Sequence, residues 1–247
     1  MKFYANEGKQ IYIRVGERLF ARHAIQTRFV NIGEDYVQLV KEYALPIYQP
    51  GDLLSMSEKV IALCQERIVR EEEVRPGLLA KILCRFVHQT DAGPGAGVPY
   101  KMQYAINQCG RLRVLWAAFR AAIDKLRGVK GTFYRLTGQE VSGLDGFYGN
   151  DIAEYEHIGI QIPHEPDKVC DEIFEKTGVL AMVVDANELG QEILGAATAV
   201  KAKESIETMV GMIADNPAGQ DRQFTPFILI REIKEEGQEE RGPADPQ

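Results

Sequence analysis

Two aspartates carry the strongest hint of chemistry in this sequence. Asp185 closes the apolar run Val179-Leu180-Ala181-Met182-Val183-Val184 and is followed by Ala186-Asn187-Glu188-Leu189-Gly190. Asp145 stands in the same way just past Val141-Ser142-Gly143-Leu144. A short β-branched run reads as a strand buried on both faces, and open α/β sheets bind ligands beyond the carboxyl ends of their strands. Two carboxylates at such ends make a candidate metal pair. Their hard oxygens suit Mg²⁺ or Mn²⁺, ions that hold phosphate oxygens during phosphoryl transfer. The structural alternative is that each acid caps the turn after it.

The other reactive side chains give weaker signals. Glu58-Lys59 lies at the end of a strand-like Leu53–Ser57. His88 and His164 are lone histidines, a type more often packed or solvated than catalytic. Cys64, Cys84, Cys109 and Cys170 are scattered without CxxC spacing, so neither a zinc knuckle nor a disulfide framework is indicated.

The elements that must hold these residues read as an α+β (mixed α/β) fold. Strands are expected at residues 11–15, 28–30, 53–57, 133–136, 141–144, 179–184 and 226–231. Helices are expected over 36–43, 76–87, 168–176 and 191–210, with one long helix over 102–126. Along that helix, Leu112, Leu115, Phe119, Ala122, Ile123 and Leu126 form an apolar stripe suited to a core or an interface. Residues 91–99 hold three glycines and two prolines and read as a loop, without the Lys-Ser/Thr of a P-loop. Glu71-Glu72-Glu73 reads as a solvated face, and the charged, then Gly/Pro-rich 234–247 as a disordered tail.

At 247 residues, with 45% hydrophobic and 26% charged side chains, the chain can bury a substantial core. Its net charge of −7 argues against a general nucleic-acid surface. Phosphorylated ligands remain open to it through bound metals or backbone amides. No run suits a membrane helix and the N-terminus lacks a signal-peptide core, so a cytoplasmic location and no membrane partner are expected.

Several segments taken in order resemble the coenzyme F-420-0:L-glutamate ligase (γ-glutamyl ligase) family. They are Val141-Ser142-Gly143-Leu144-Asp145, Ile160-Gln161-Ile162-Pro163 with Pro166-Asp167, and Val183-Val184-Asp185-Ala186-Asn187. Gly51-Asp52-Leu53-Leu54 resembles a strand entry of the family. Gly219-Gln220 and the later Pro226–Arg231 resemble its nucleotide loop and closing strand. The match spans about 28–70 and 138–231, and the chain is similar to a divergent bacterial member. The resemblance implies one ligase-like domain over 1–233 with mixed sheets, and an insertion carrying the long helix at about 88–135.

What the resemblance implies chemically is GTP-dependent amide formation between L-glutamate and a carboxylate on a phosphorylated small-molecule acceptor such as F-420-0. GTP would be the co-substrate and Mg²⁺ or Mn²⁺ the metal, in a homodimer. By position, Asp145, Asp185, Asn187 and Gln220 would hold metal. Asn31, Gly33, Glu34, Glu58, Lys59, Gly219, Gln220 and Arg222 would contact the nucleotide. The sequence departs from the pattern at Ala186, where the family has Thr, at Leu63 for a Lys and at Tyr148 for an Asn, with Asn150 nearby. Asp221-Arg222-Gln223 replaces Gly-Asp-Glu. A member that binds a nucleotide or phospho-metabolite without turnover is therefore the alternative reading.

Overall fold

The protein is described by a computed structural model over residues 2–86, 95–147, 157–187, 190–218 and 223–233. The elements run in chain order. They are β1 (Tyr12–Val15), β2 (Arg18–Ile25), α1 (Tyr36–Leu39), β3 (Leu53–Ser57), α2 (Glu58–Cys64), β4 (Ile68–Arg70) and α3 (Leu78–Leu83). Four helices follow: α4 (Pro99–Cys109), α5 (Arg111–Leu126), α6 (Thr132–Thr137) and α7 (Gln139–Ser142). Then come β5 (Asp145–Gly146), β6 (Ile158–Ile160), α8 (Pro166–Thr177), β7 (Leu180–Asn187), β8 (Gly190–Ala196), α9 (Thr198–Lys201), α10 (Ile206–Met212) and β9 (Phe227–Ile233).

The main sheet has six strands in the order β1-β2-β9-β3-β7-β8. Only β3 and β7 run parallel, paired from Leu53↔Leu180 to Ser57↔Val184. Val179 and Ala181–Val184 are all buried, as expected of a strand covered on both faces. Their side chains join Leu54, Met56, Phe227 and Leu229 from the sheet, and Val169, Cys170 and Ile173 from α8, in one core. At the far end of β3, Asp52 accepts from Arg231 Nε and Nη2 at 2.7 and 2.6 Å, with both side chains largely buried. That pair ties the entry of β3 to β9.

A second sheet, β4-β6-β5, is antiparallel and small. Ala62 and Leu63 of α2 pack on Ile158 and Ile160 of β6, so α2 lies between the two sheets. A separate apolar cluster joins α3 to α7 through Ala80, Met102, Ala105, Val114, Ala117, Phe133 and Val141. The mixed α/β class read from the sequence holds.

Several expected elements are corrected. The long helix over 102–126 is two helices, because Gly110 adopts φ 80°, ψ 155°, a conformation that ends α4 and begins α5. The expected strand at 133–136 is α6, bracketed by Gly131 and Gly138, which buries Phe133 and Thr137 one turn apart on one face. Residues 139–142 form α7, and Val141 is its buried contact. Residues 28–30 belong to no strand, while Arg18–Ile25 forms an interior strand whose buried Arg22 breaks the apolar pattern.

The expected helix over 191–210 begins instead as β8. Gly190–Ala196 pairs antiparallel with β7, with Gly190 opposite Asn187. Asp167 Oδ1 accepts the Ala196 amide at 2.9 Å, and Asp171 Oδ1 accepts the Thr198 amide at 2.6 Å, so the two aspartates of α8 hold this exit. Only α9 and α10 carry the Ala-rich helical signal of that stretch. The helix read over 76–87 is α3 followed by a 3₁₀ turn at Cys84–Phe86. That read over 36–43 is α1 running into a π-turn at Val40–Ala44.

Candidate functional site

The parallel pair β3 and β7 builds the centre of the site. The pairing ends at Ser57↔Val184, and the next residues along the two strands are Glu58 and Asp185. Glu58 opens α2, where an acid complements the amino-terminal end of the helix. Asp185 is not the strand's last residue, since β7 continues to Asn187 as a hairpin with β8. That hairpin places Glu192 directly across from Asp185. Like charges opposite each other on an antiparallel pair destabilise the sheet, so the arrangement favours a cation between or near them.

The second sheet delivers the other half. Asp145 of β5 is paired with Ile160 of β6, and Lys59 Nζ stands 2.6 Å from Asp145 Oδ2. Gly146 is required here: its φ is +91°, and a Cβ would lie 2.1 Å from the Ile158 carbonyl oxygen. Phe147 follows, stacked on Tyr100 with ring centroids 5.5 Å apart. This stacking pins the start of α4 beside β5. Gln161 Nε2 donates to the Tyr104 hydroxyl at 2.8 Å and fixes the next turn of the helix.

The consequence is Lys101, which the sequence reading did not single out. It lies in the first turn of α4 with a side chain only 8% exposed, and its Nζ is 4.0 Å from Asp145 Oδ1. Burial pushes its pKa down to about 8 against the pull of Asp145, with Lys59 adding to the fall. One local signal could have found it. A lysine in a helix's first turn opposes the helix dipole, and here it follows a glycine-rich loop. Glu192 was missed because its segment reads as helix.

Glu58 reports the field of the whole cluster. Burial, then the neighbouring charges of Asp185, Asp145 and Glu192, push its carboxyl up to about 8, while Lys59 pulls the other way. Asp145 and Asp185 therefore both act on the same carboxyl group, although they belong to different sheets. The cluster of Glu58, Lys59, Lys101, Asp145, Asp185 and Glu192 can hold charged oxygens and exchange protons with them.

The oxygen donors are of the right kind for Mg²⁺ or Mn²⁺. Among the described residues, however, no three His, Cys, Asp or Glu side chains stand close enough to hold a metal ion by themselves. Such a donor set fits an ion bound by one or two carboxylates together with phosphate oxygens, which is the usual magnesium arrangement. It does not fit an all-protein cage.

The remaining expected site residues are not gathered here. Asn31, Gly33 and Glu34 sit at the opposite end of α2, where the Gly33 amide donates to the Leu63 carbonyl at 2.9 Å. Glu34 accepts from Arg28 at 2.7 and 2.6 Å and from Asn31 at 2.7 and 2.8 Å, and Arg28 is the first cause of its pKa falling to about 2. Gly219, Gln220, Arg222, Tyr148, Asn150 and His88, and the tail 234–247, lie outside the described residues, as does the side chain of Asn187. His164 is exposed, 3.5 Å from Glu165. Ala186 packs against the main core, on the other face of β7 from Asp185.

A cavity of about 410 Å³ lies between α3 and α4, lined by Leu78, Ile82, Gln103 and Ile106 among others. None of the charged cluster lines it. The site is therefore defined by its charges and not by that cavity. No helix among the described residues is long and apolar enough to cross a membrane. Neither a scan against protein-family models nor a search of curated proteins finds a match to this chain.

Proposed function

We propose that the chain is a GTP- and divalent-metal-dependent ligase joining the amine of L-glutamate to a carboxylate on a phosphorylated acceptor such as F-420-0. The observation that carries the reading is the meeting of Asp145 from the small sheet with Asp185 from the main sheet and Glu58 and Lys59 from the start of α2 between them. In this reaction the acceptor carboxylate attacks the γ-phosphorus of GTP, forming an acyl phosphate and releasing GDP. The glutamate amine then attacks the acyl carbon, the C–N bond forms, phosphate leaves, and the amine gives up a proton.

Asp145 and Asp185 would hold Mg²⁺ or Mn²⁺, which would neutralise the triphosphate and polarise its phosphoryl oxygens. Lys59 and Lys101 supply positive charge at the same place, the role that cationic side chains play in phosphoryl transfer. Lys101 offsets the lysine that Leu63 replaces in the family pattern. The buried position of Lys101 strengthens its interaction with a ligand anion, because its charge is little screened by water.

A second reading is favoured by one feature of the same geometry. Lys59 rests on Asp145, and no three-ligand metal group is formed among the described residues. These suit a module that binds a nucleotide or phospho-metabolite without turning it over. Incubating the purified protein with GTP, Mn²⁺, L-glutamate and F-420-0 separates the two. GDP release with a glutamyl mass gain supports the ligase. GTP binding that requires Asp145 without any GDP supports the module, and no nucleotide binding at all overturns both.

A further inference from the structure

Helix α5 carries its larger apolar side chains on the side turned away from the fold. Its buried side is made of Val114 and Ala117, with Ala118 and Ala121 beside them against the α3–α7 cluster. Leu112, by contrast, is 85% exposed, Trp116 56%, Phe119 58% and Leu126 90%. Trp116 and Phe119 lie together with ring centroids 5.9 Å apart. At helical spacing these four and the exposed Leu115 fall on one face, about 100° wide.

The charges around this face decide what kind of surface it meets. Residues 110–135 hold seven Lys and Arg and a single acid, Asp124, within a chain whose net charge is −7. Asp124 is buried and accepts from Thr132 Oγ1 at 2.9 Å and from Arg120 Nη2 at 3.3 Å, so the charge this stretch presents outward is cationic. By helical spacing, Arg111 and Lys125 run along one edge of the apolar stripe, and Arg113 and Arg120 along the other. Arg127 follows at the helix end. Arg111, Lys125 and Arg127 are exposed and form no ion pair among the described residues.

We propose that the exposed face of α5 docks on an anionic lipid bilayer, with the helix lying in the headgroup layer. Leucine and aromatic side chains on one side with Lys and Arg along both edges suit that layer. The apolar groups enter the acyl boundary, and the long cationic side chains reach back to the phosphates. The indole of Trp116 fits the same level, where its ring is half buried in lipid and its N–H stays wet. A helix lying on a surface needs no spanning run, so the expectation of no membrane partner, which rested on the lack of one, does not reach this face. A second copy would set cationic edges against cationic edges in either orientation. Nucleic acid offers no apolar counterpart to Leu112 and Leu126.

Trp116 is the only tryptophan in the chain, so its fluorescence reports this face alone. The test titrates the full chain with vesicles of phosphatidylcholine plus phosphatidylglycerol, and with phosphatidylcholine alone, at low and high salt. A blue shift of the Trp116 emission and co-sedimentation with the anionic vesicles are expected, about tenfold weaker on the neutral ones and weakened by salt. Phe119→Glu with Leu126→Glu, and separately Lys125→Gln with Arg127→Gln, should each lower the affinity about tenfold with the circular dichroism spectrum retained. Absence of binding to the anionic vesicles at low salt overturns the proposal. So does equal binding to both kinds of vesicle, or binding that neither double variant weakens. A vesicle-free dimer in light scattering that Phe119→Glu dissociates, with no vesicle binding, also overturns it and gives the face to a second copy.

Discussion

The Lys59 ammonium stands 2.6 Å from Asp145 Oδ2, joining the first turn of α2 to β5 across the gap between two sheets. Both side chains are more than one-third exposed, so the pair contributes little to stability. On the proposed function, a phosphate group would compete with Asp145 for Lys59 and a divalent cation with Lys59 for Asp145, so metal and nucleotide together would satisfy both groups better than either alone.

Asp145→Asn is therefore expected to lower GDP release by about 100-fold or more, the size of effect typical for losing a key electrostatic group. The unfolding free energy should move by less than about 1 kcal/mol. Steady-state assays with Mn²⁺-GTP and urea titrations of the same preparation check both halves. A loss of activity accompanied by a large loss of stability would remove Asp145 from the site.

Glu58 gives the fold a pH dependence of definite sign. Its carboxyl holds a proton more tightly in the folded chain, at about 8 against 4.5 unfolded. The stability it contributes is complete below about 4.5 and is lost as pH rises through about 8. Glu58→Gln keeps the side chain's shape and removes the charge. The unfolding free energy of the parent from urea titration should fall relative to the variant between pH 5 and 9, by a few kcal/mol at about 1.4 kcal/mol for each pH unit between the two pKa values. Parallel curves for the two proteins would show that the ionised carboxylate is accommodated without cost.

Lys101 runs in the opposite sense. Burial lowers its pKa from 10.5 to about 8, so the folded state favours the neutral amine. The stability associated with that preference is present above about 10.5 and lost as pH falls through about 8. Lys101→Met should accordingly stabilise the fold at pH 7, by on the order of 1 kcal/mol. It should also weaken GTP binding, as measured by calorimetry. Stabilisation without loss of binding would make Lys101 a misfit of packing and not a ligand contact.

The parts of this site differ in how far the sequence exposed them. Leu53–Ser57 and Val179–Val184 are short apolar runs ending in charged residues, and both form the expected buried strands. Their parallel pairing puts Glu58 beside Asp185, a relation that spacing alone does not contain. Lys101 reaches Asp145 because Tyr100 stacks on Phe147, a contact between residues far apart in the chain. Glu192 was hidden by the helical composition of 191–210, which the antiparallel pairing of β8 with β7 overrides. Asn31 and Glu34 were drawn in by position, yet Arg28 is the partner that occupies Glu34.

Away from the site, Arg22 sets a stability prediction. Its guanidinium is 1% exposed and is held by Asp215, the Gln10 carbonyl at 2.5 Å and the Met212 carbonyl at 3.3 Å. Burial raises the Asp215 carboxyl, but Arg22 outweighs it and holds the pKa below the ordinary value. Asp215→Asn leaves a buried cation without its counter-charge, at a cost of about 3 kcal/mol. The double variant Arg22→Met with Asp215→Leu should recover most of that loss, since an apolar pair asks for no compensation. Urea titrations of the three proteins measure the coupling, and equal losses in single and double variants would mean that packing around Arg22, not its charge, dominates.

The break between α4 and α5 rests on one residue. Gly110 holds φ 80° and ψ 155°, a region open almost only to glycine, while no atom lies within 4 Å of where its Cβ would be. Space is not the constraint, so the effect of Gly110→Ala is purely conformational, costing about 1–3 kcal/mol. The alternative for the variant is to straighten into the single helix that the apolar stripe by itself suggests. That would pull Val114 and Ala117 out of the α3–α7 cluster and turn the Trp116–Phe119 face away from its present direction. Urea titration of Gly110→Ala should therefore show a lowered midpoint with circular dichroism unchanged or slightly more helical. A midpoint equal to the parent would mean that the bend is held by packing strong enough to impose its conformation on alanine.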